Sequence, residues 1–190
     1  MDAVAILVGM AENNAWANHR LLGACAKLSQ EEWVATRTSF FPSLRETLLH
    51  IYLVDRYYLD ALEAKGRGRA IFDDMMPFTE CAPLREAQRA SDAELVRFVA
   101  SLAGAGESVE AKHELALAKK VKIPRRDGDQ YERVDRVLLH LFEHQLHHRG
   151  QAHAMLAGTN VAPPPLDEFF LEAERPLREA ELRELGLALR

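Results

Sequence analysis

Cysteine is scarce: Cys25 and Cys81 are the two thiols in 190 residues, and no CxxC pair occurs. A disulfide framework is thereby excluded, and free thiols in a reducing cytoplasm are expected. No apolar run approaches the ~20 residues that a bilayer span requires. Asp2 stands where a secretory leader would be basic. A basic excess is also missing, with 24 Lys+Arg against 29 Asp+Glu and a formal charge of −5. The concentrated positive patch, Lys119, Lys120 and Lys122 with Arg125 and Arg126, reads as a solvated loop and strand edge. Membrane and nucleic-acid partners are therefore not expected, and the cytoplasm is the expected location. Neither an internal repeat nor a second globular unit is evident. Residues 1–174 read as one domain, followed by a charged helix or tail over 175–190.

Helical periodicity dominates what is present. Leu7, Met10, Asn14, Ala17, Leu21, Ala24 and Leu28 recur at alternating spacings of three and four, which predicts one long helix over about 2–28 with a core-facing stripe. Asn14 interrupts that stripe as a polar partner near a site, a register-fixing core residue or a boundary position. A second helix begins at Ser43-Leu-Arg-Glu46, a capping-box pattern, and ends at Gly66 and Gly68. The long loop that follows carries Met75 to Phe78, a candidate dimer surface. A third helix is expected over 84–102, with a possible second N-cap at Ser91-Asp92. Residues 103–106 read as a break. Lys122 to Tyr131 reads as a hairpin with Asp127-Gly128 as turn chemistry. The fourth helix runs from about 133 to Gly158, Pro163-Pro-Pro165 forces a turn, and Asp167 is expected to cap a short helix. The expected fold is all-α: a four-helix bundle with a short β-hairpin before the last long helix and a small C-terminal helix.

Four of the eight histidines fall within nine positions of helix four, at 140, 144, 147 and 148. Residues four apart share a helix face, with Cβ atoms roughly 6 Å from each other. His144 and His148 therefore suit one metal ion, whose bonds to imidazole nitrogen are about 2.0–2.1 Å long. On a helical wheel they lie about 70° and 30° from the centre of the apolar arc, whereas His140 and His147 lie beyond about 100°. His147 is assigned to solvent or a partner subunit, and His140 to a hydrogen bond that orients a ligand. A lone histidine on an apolar face is more often a satisfied core residue than a ligand. His50, on the apolar second helix, supplies the third candidate ligand and favours a metal site. His140-Leu-Phe-Glu143-His144 also matches the inverted zinc-protease pattern HxxEH, but the fold that carries that pattern is a much larger α/β structure. HExxH is absent, and no Glu-x-x-His pair is expected on any helix, so carboxylate-bridged di-iron chemistry is not expected.

These residues resemble the DinB-like (YfiT-type) family of metal-binding four-helix bundles. The resemblance rests on Ala17-Asn18-His19-Arg20-Leu21-Leu22, Thr47-Leu-Leu-His50 with Asp55-Arg56, the Asp127-Gly128 hairpin, His144-Gln-Leu-His147-His148-Arg149-Gly150-Gln151, and Pro163-Pro164-Pro165-Leu166-Asp167. Many relatives carry Asn where this chain has Glu143. The family implies a divalent ion held by His50, His144 and His148. Zinc or nickel is favoured for that donor set, with iron or manganese compatible. It also implies homodimers and, in some members, transfer of low-molecular-weight thiols. The expected function is a metal-dependent enzyme activating a thiol or water, as a thiol S-transferase or hydrolase does, with Glu143 and Asn14 as candidate bases. The alternative is a non-catalytic, metal-stabilised stress-response or binding protein.

Overall fold

A computed structural model describes residues 2–73, 78–103 and 109–187. Four long helices carry it: α1 (Ala3–Cys25), α3 (Leu44–Leu62), α5 (Cys81–Ser101) and α7 (Val134–Ala157). They pack in a ring, α1 beside α5, α5 beside α3, α3 beside α7, and α7 back against α1. Short helices α2 (Gln30–Val34), α4 (Ala70–Asp73) and α6 (Val109–Ala118) fill the connections. The hairpin β1 (Lys120–Arg125) and β2 (Gly128–Arg133) precedes α7, and a 3₁₀ turn (Glu172–Glu174) leads into α8 (Arg175–Glu184). The all-α bundle with a small antiparallel hairpin is as the periodicity predicted. Among the described residues, no helix is long and apolar enough to cross a membrane.

Local differences from the sequence reading have local causes. Ser43 caps α3 by accepting from the Glu46 N–H at 3.2 Å. Glu46 Oε2 is buried without a hydrogen-bond partner. The α5 helix starts three residues before Leu84, with Pro83 in its first turn, where no N–H is needed. It also runs unbroken through Ser91-Asp92, since the Asp92 carboxylate is committed to the core and not to a cap. The hairpin turn is centred one residue earlier than expected, on Arg126-Asp127, with Gly128 following at φ 124°. Asp167 caps no helix; regular structure resumes only at Glu172. Helices α2, α4 and α6 have no counterpart in the periodicity reading. One Glu-x-x-His spacing, Glu110 to His113, does lie on α6, where His113 is buried and hydrogen-bonded to Asp2 and the Ala103 carbonyl. Met75, Met76 and Pro77 of the candidate dimer loop lie outside the described residues, as do Gly104 and Gly106. Phe78 is half-buried with its ring edge-on to Tyr52.

Two large apolar clusters fill the bundle interior. One gathers Leu7, Val54, Leu59, Leu95, Val99, Leu138 and Leu141; the other gathers Leu21, Leu44, Leu48, Ile51, Leu84, Ala152 and Leu156. Between them lies a polar girdle with members from all four long helices: Asn14 and Asn18 of α1, Asp55 of α3, Gln88 and Asp92 of α5, and Gln145 and Arg149 of α7. All seven are buried. The Arg149 guanidinium donates to the side-chain oxygens of Asn14, Asn18 and Gln145. The NH₂ groups of those same amides donate onward, Asn14 and Asn18 to Asp92 and Gln145 to Asp55. Gln88 bridges both carboxylates. Asn14, Asn18 and Gln145 thus turn their oxygens toward the Arg149 guanidinium and their NH₂ groups toward a carboxyl oxygen. Asn14 is accordingly a buried register-setting partner in this girdle.

The C-terminal segment docks on α1. Glu181 of α8 accepts from both Trp16 Nε1 and Arg20 Nε at 2.7 Å, and Arg20 stacks on the Trp16 ring. Leu182 and Phe169 pack beside Trp16 and Ala17.

A candidate metal centre between the third and seventh helices

His50 stands in the N-terminal half of α3, one turn past Glu46. His144 and His148 stand one turn apart on α7, which packs directly against α3. The ring centroids of His50 lie 4.9 Å from His144 and 4.7 Å from His148, and those of His144 and His148 lie 4.5 Å apart. One ring nitrogen from each lies within 4.8 Å of the other two. His50 Nε2 and His144 Nε2 are 2.9 Å apart. Two imidazole nitrogens bound to one tetrahedral zinc would be about 3.3 Å apart, given bonds of about 2.0–2.1 Å. The three side chains therefore converge closely enough to share a divalent ion.

Electrostatics favour the same use. Burial pushes the His50 imidazole down to about 4, with His148 adding to the effect. Burial also pushes His144 down to about 3, reinforced by His148, His50, His140 and His147. His148 is lowered by burial as well, against the opposing effect of the hydrogen bond it donates to Gln151. All three rings are neutral at pH 7 and offer lone pairs in place of protons, which is the state a metal ion binds. His144 Nδ1 is buried without a partner, an arrangement worth about 1–3 kcal/mol of lost hydrogen bonding. Three neutral imidazole nitrogens are a donor set that a divalent ion can use.

Gln151, one turn along α7, fixes one of the rings. Its Nε2 donates to His147 Nε2 at 3.0 Å, which leaves Oε1 to accept from His148 Nδ1–H at 2.8 Å. The His148 proton is therefore on Nδ1, and Nε2 keeps its lone pair. Phe41 covers the other side, its ring 4.4 Å from His50 and 5.6 Å from His148. Phe40 lies edge-on to Phe41 and 6.5 Å from His148. The Phe40-Phe41 loop is closed by the Arg37 N–H bonded to the Pro42 carbonyl at 2.7 Å.

The other residues singled out in the sequence take different places. His147 is exposed, stands edge-on to His148 with ring centroids 4.8 Å apart, and accepts from Gln151. His140 approaches His144 ring to ring at 6.2 Å and packs on Tyr58, but makes no hydrogen bond to a candidate ligand. Orientation of a ligand falls to Gln151, which the motif contained but whose role spacing alone did not reveal. Glu143 is exposed, and Asn14 is spent in the girdle. In the basic patch, Lys122 pairs with Asp129 and Arg125 lies over Tyr57 and Tyr58.

Comparison with known proteins agrees with this architecture. The sequence model of the DinB family matches residues 4–181. Protein DinB of Bacillus subtilis (strain 168) is 25% identical over 158 residues, covering 82% of this chain and 87% of the relative.

Proposed function

Because the chain belongs to the DinB family, we propose that it binds a divalent metal ion through His50, His144 and His148. We assign it the role of a metal-dependent enzyme activating a thiol or water, as a thiol S-transferase or hydrolase does. The observation that supports this reading is the convergence of three neutral imidazoles from two helices, each with a nitrogen within 4.8 Å of the others. A bound divalent ion supplies Lewis acidity that favours hydroxide or thiolate at neutral pH. The protein's share is positional. Burial keeps the rings uncharged, Gln151 holds the His148 tautomer, and Phe41 keeps water from one flank of His50. Three protein ligands leave a coordination position for a small molecule. Zinc or nickel suits the donors best, and iron or manganese is compatible.

Elemental analysis of gently purified protein and of His148→Ala tests the assignment. The variant is expected to lose its bound metal while keeping its helicity, since Ala is a strong helix former. Full metal stoichiometry in the variant would overturn the site.

A second reading, a metal-stabilised stress-response or binding protein without turnover, is favoured by the placement of Glu143 and Asn14 away from the cluster. Turnover of a thiol or electrophile that disappears with the metal would exclude it. The two free thiols accord with a cytoplasmic location. A homodimer is supported by apolar side chains left outside the core. Leu139 and Leu146, two turns apart on α7, are 55% and 68% exposed, and Ile6, Phe170 and Leu171 are also exposed. Leu146 and Phe170 line one cleft.

A further inference from the structure

A groove of about 570 Å³ opens beside the histidine cluster, between the loop that precedes α3 and the last turns of α7. Its walls include Thr38, Ser39, Phe40, Gln151, Ala154 and Met155. The volume is that of a small-molecule site. Gln151 is common to both places, since it lines the groove and holds His148. Phe40 is 77% exposed and presents a bare aromatic ring at the end nearest His148.

The charge in the groove is already matched. Arg37, its one ionic side chain, gives its guanidinium to the Glu32 carboxylate and to the carbonyls of Glu32 and Ala35. A charged ligand would give up its hydration there without gaining a free partner. An uncharged ligand with a flat apolar face would cover Phe40 and Met155, with Thr38 and Ser39 beside it for hydrogen bonds.

We infer that this groove holds the uncharged, apolar-faced organic body of the substrate and points that substrate's metal-binding group at the histidine cluster. The inference rests on the metal-site reading above and adds the substrate class. It treats Phe40 as a specificity wall and not as a catalytic residue.

Isothermal titration of the zinc-loaded full chain with two hydroxamates tests it. Acetohydroxamate carries the chelating group alone, and benzohydroxamate adds a phenyl ring. The phenyl compound is expected to bind about tenfold more tightly, the worth of covering one face of the ring. Phe40→Ala should reduce that ratio to below about threefold, because it removes apolar contact area. Ala154→Glu, an exposed change on the groove wall, should do the same while leaving zinc and acetohydroxamate affinities unaltered. Equal ratios in wild type and both variants, or no phenyl preference in wild type, would overturn the groove assignment and leave the metal site standing. Failure of zinc itself to bind wild type would overturn the metal reading and the groove with it.

Discussion

At His148 the ring proton is committed to Gln151, and that one hydrogen bond decides which nitrogen faces the cluster. Deleting the amide frees the ring to rotate and to exchange tautomers. Partners of this kind are worth about 10–100-fold in metal affinity when removed. Gln151→Ala is therefore expected to weaken zinc binding by that factor in a competition titration against a chromogenic chelator. Thermal stability of the metal-free protein should change little, because the side chain is half-exposed. Unaltered zinc affinity would show that Phe41 and packing alone orient His148. A different side chain illustrates why the sequence gives no warning of Phe41: its contact with His50 depends on how the loop before Pro42 closes, and nothing in the spacing of residues 37–42 encodes that closure.

Among the elements, those with long apolar periods were legible and those without were not. The stripes on α1, α3 and α7 run over five turns or more, so their existence and facing could be read directly. The α2 helix has five residues, too few for a period to register, and its signal is only the Ser29 cap. The α6 helix carries almost no amphipathic pattern, which left it invisible. The α5 helix was readable except at Asp92, where a residue typical of a cap turned out to be a core acceptor. His144 and His148 were legible as a pair because their relation is internal to one helix. Their meeting with His50, across 94 residues, is a tertiary fact that spacing could suggest but not dictate. The Ser43 cap matters at this scale because it fixes where α3 begins, and hence the height of His50. Ser43→Ala should cost about 1 kcal/mol and lower the melting temperature by a few degrees. No change in melting temperature would show that the α3 terminus is held by packing instead.

For the whole molecule, the girdle sets how stability responds to pH. Burial pushes the Asp55 carboxyl up to about 7. Burial and the Asp55 charge push Asp92 up to about 8. Between pH 4 and 7 the folded protein keeps a proton on Asp55 that the unfolded chain releases, since the unfolded value is about 3.8. Raising pH through that window therefore drains stability, by up to about 1.4 kcal/mol per unit. Asn at this position holds no such proton, and its amide could occupy the place of the unpartnered Asp55 Oδ1. Asp55→Asn is thus expected to gain on wild type in urea unfolding as pH rises from 5 to 7. A constant difference would mean that Asp55 is ionised in the fold. Association is tested at the same scale: Leu146→Glu should shift a dimer to monomer in sedimentation velocity, and an unchanged dimer would place the interface elsewhere. The girdle has one more effect. Gln145 and Arg149 immediately follow His144 and His148 along the chain, so the inward-facing side chains set the azimuth of the ones beside them. The last long helix is keyed like a shaft in a slot and cannot roll about its axis without tearing amide and guanidinium hydrogen bonds from α1 and α3. The aim of the two imidazoles is inherited from the depths of the protein, well away from anything a small molecule would touch.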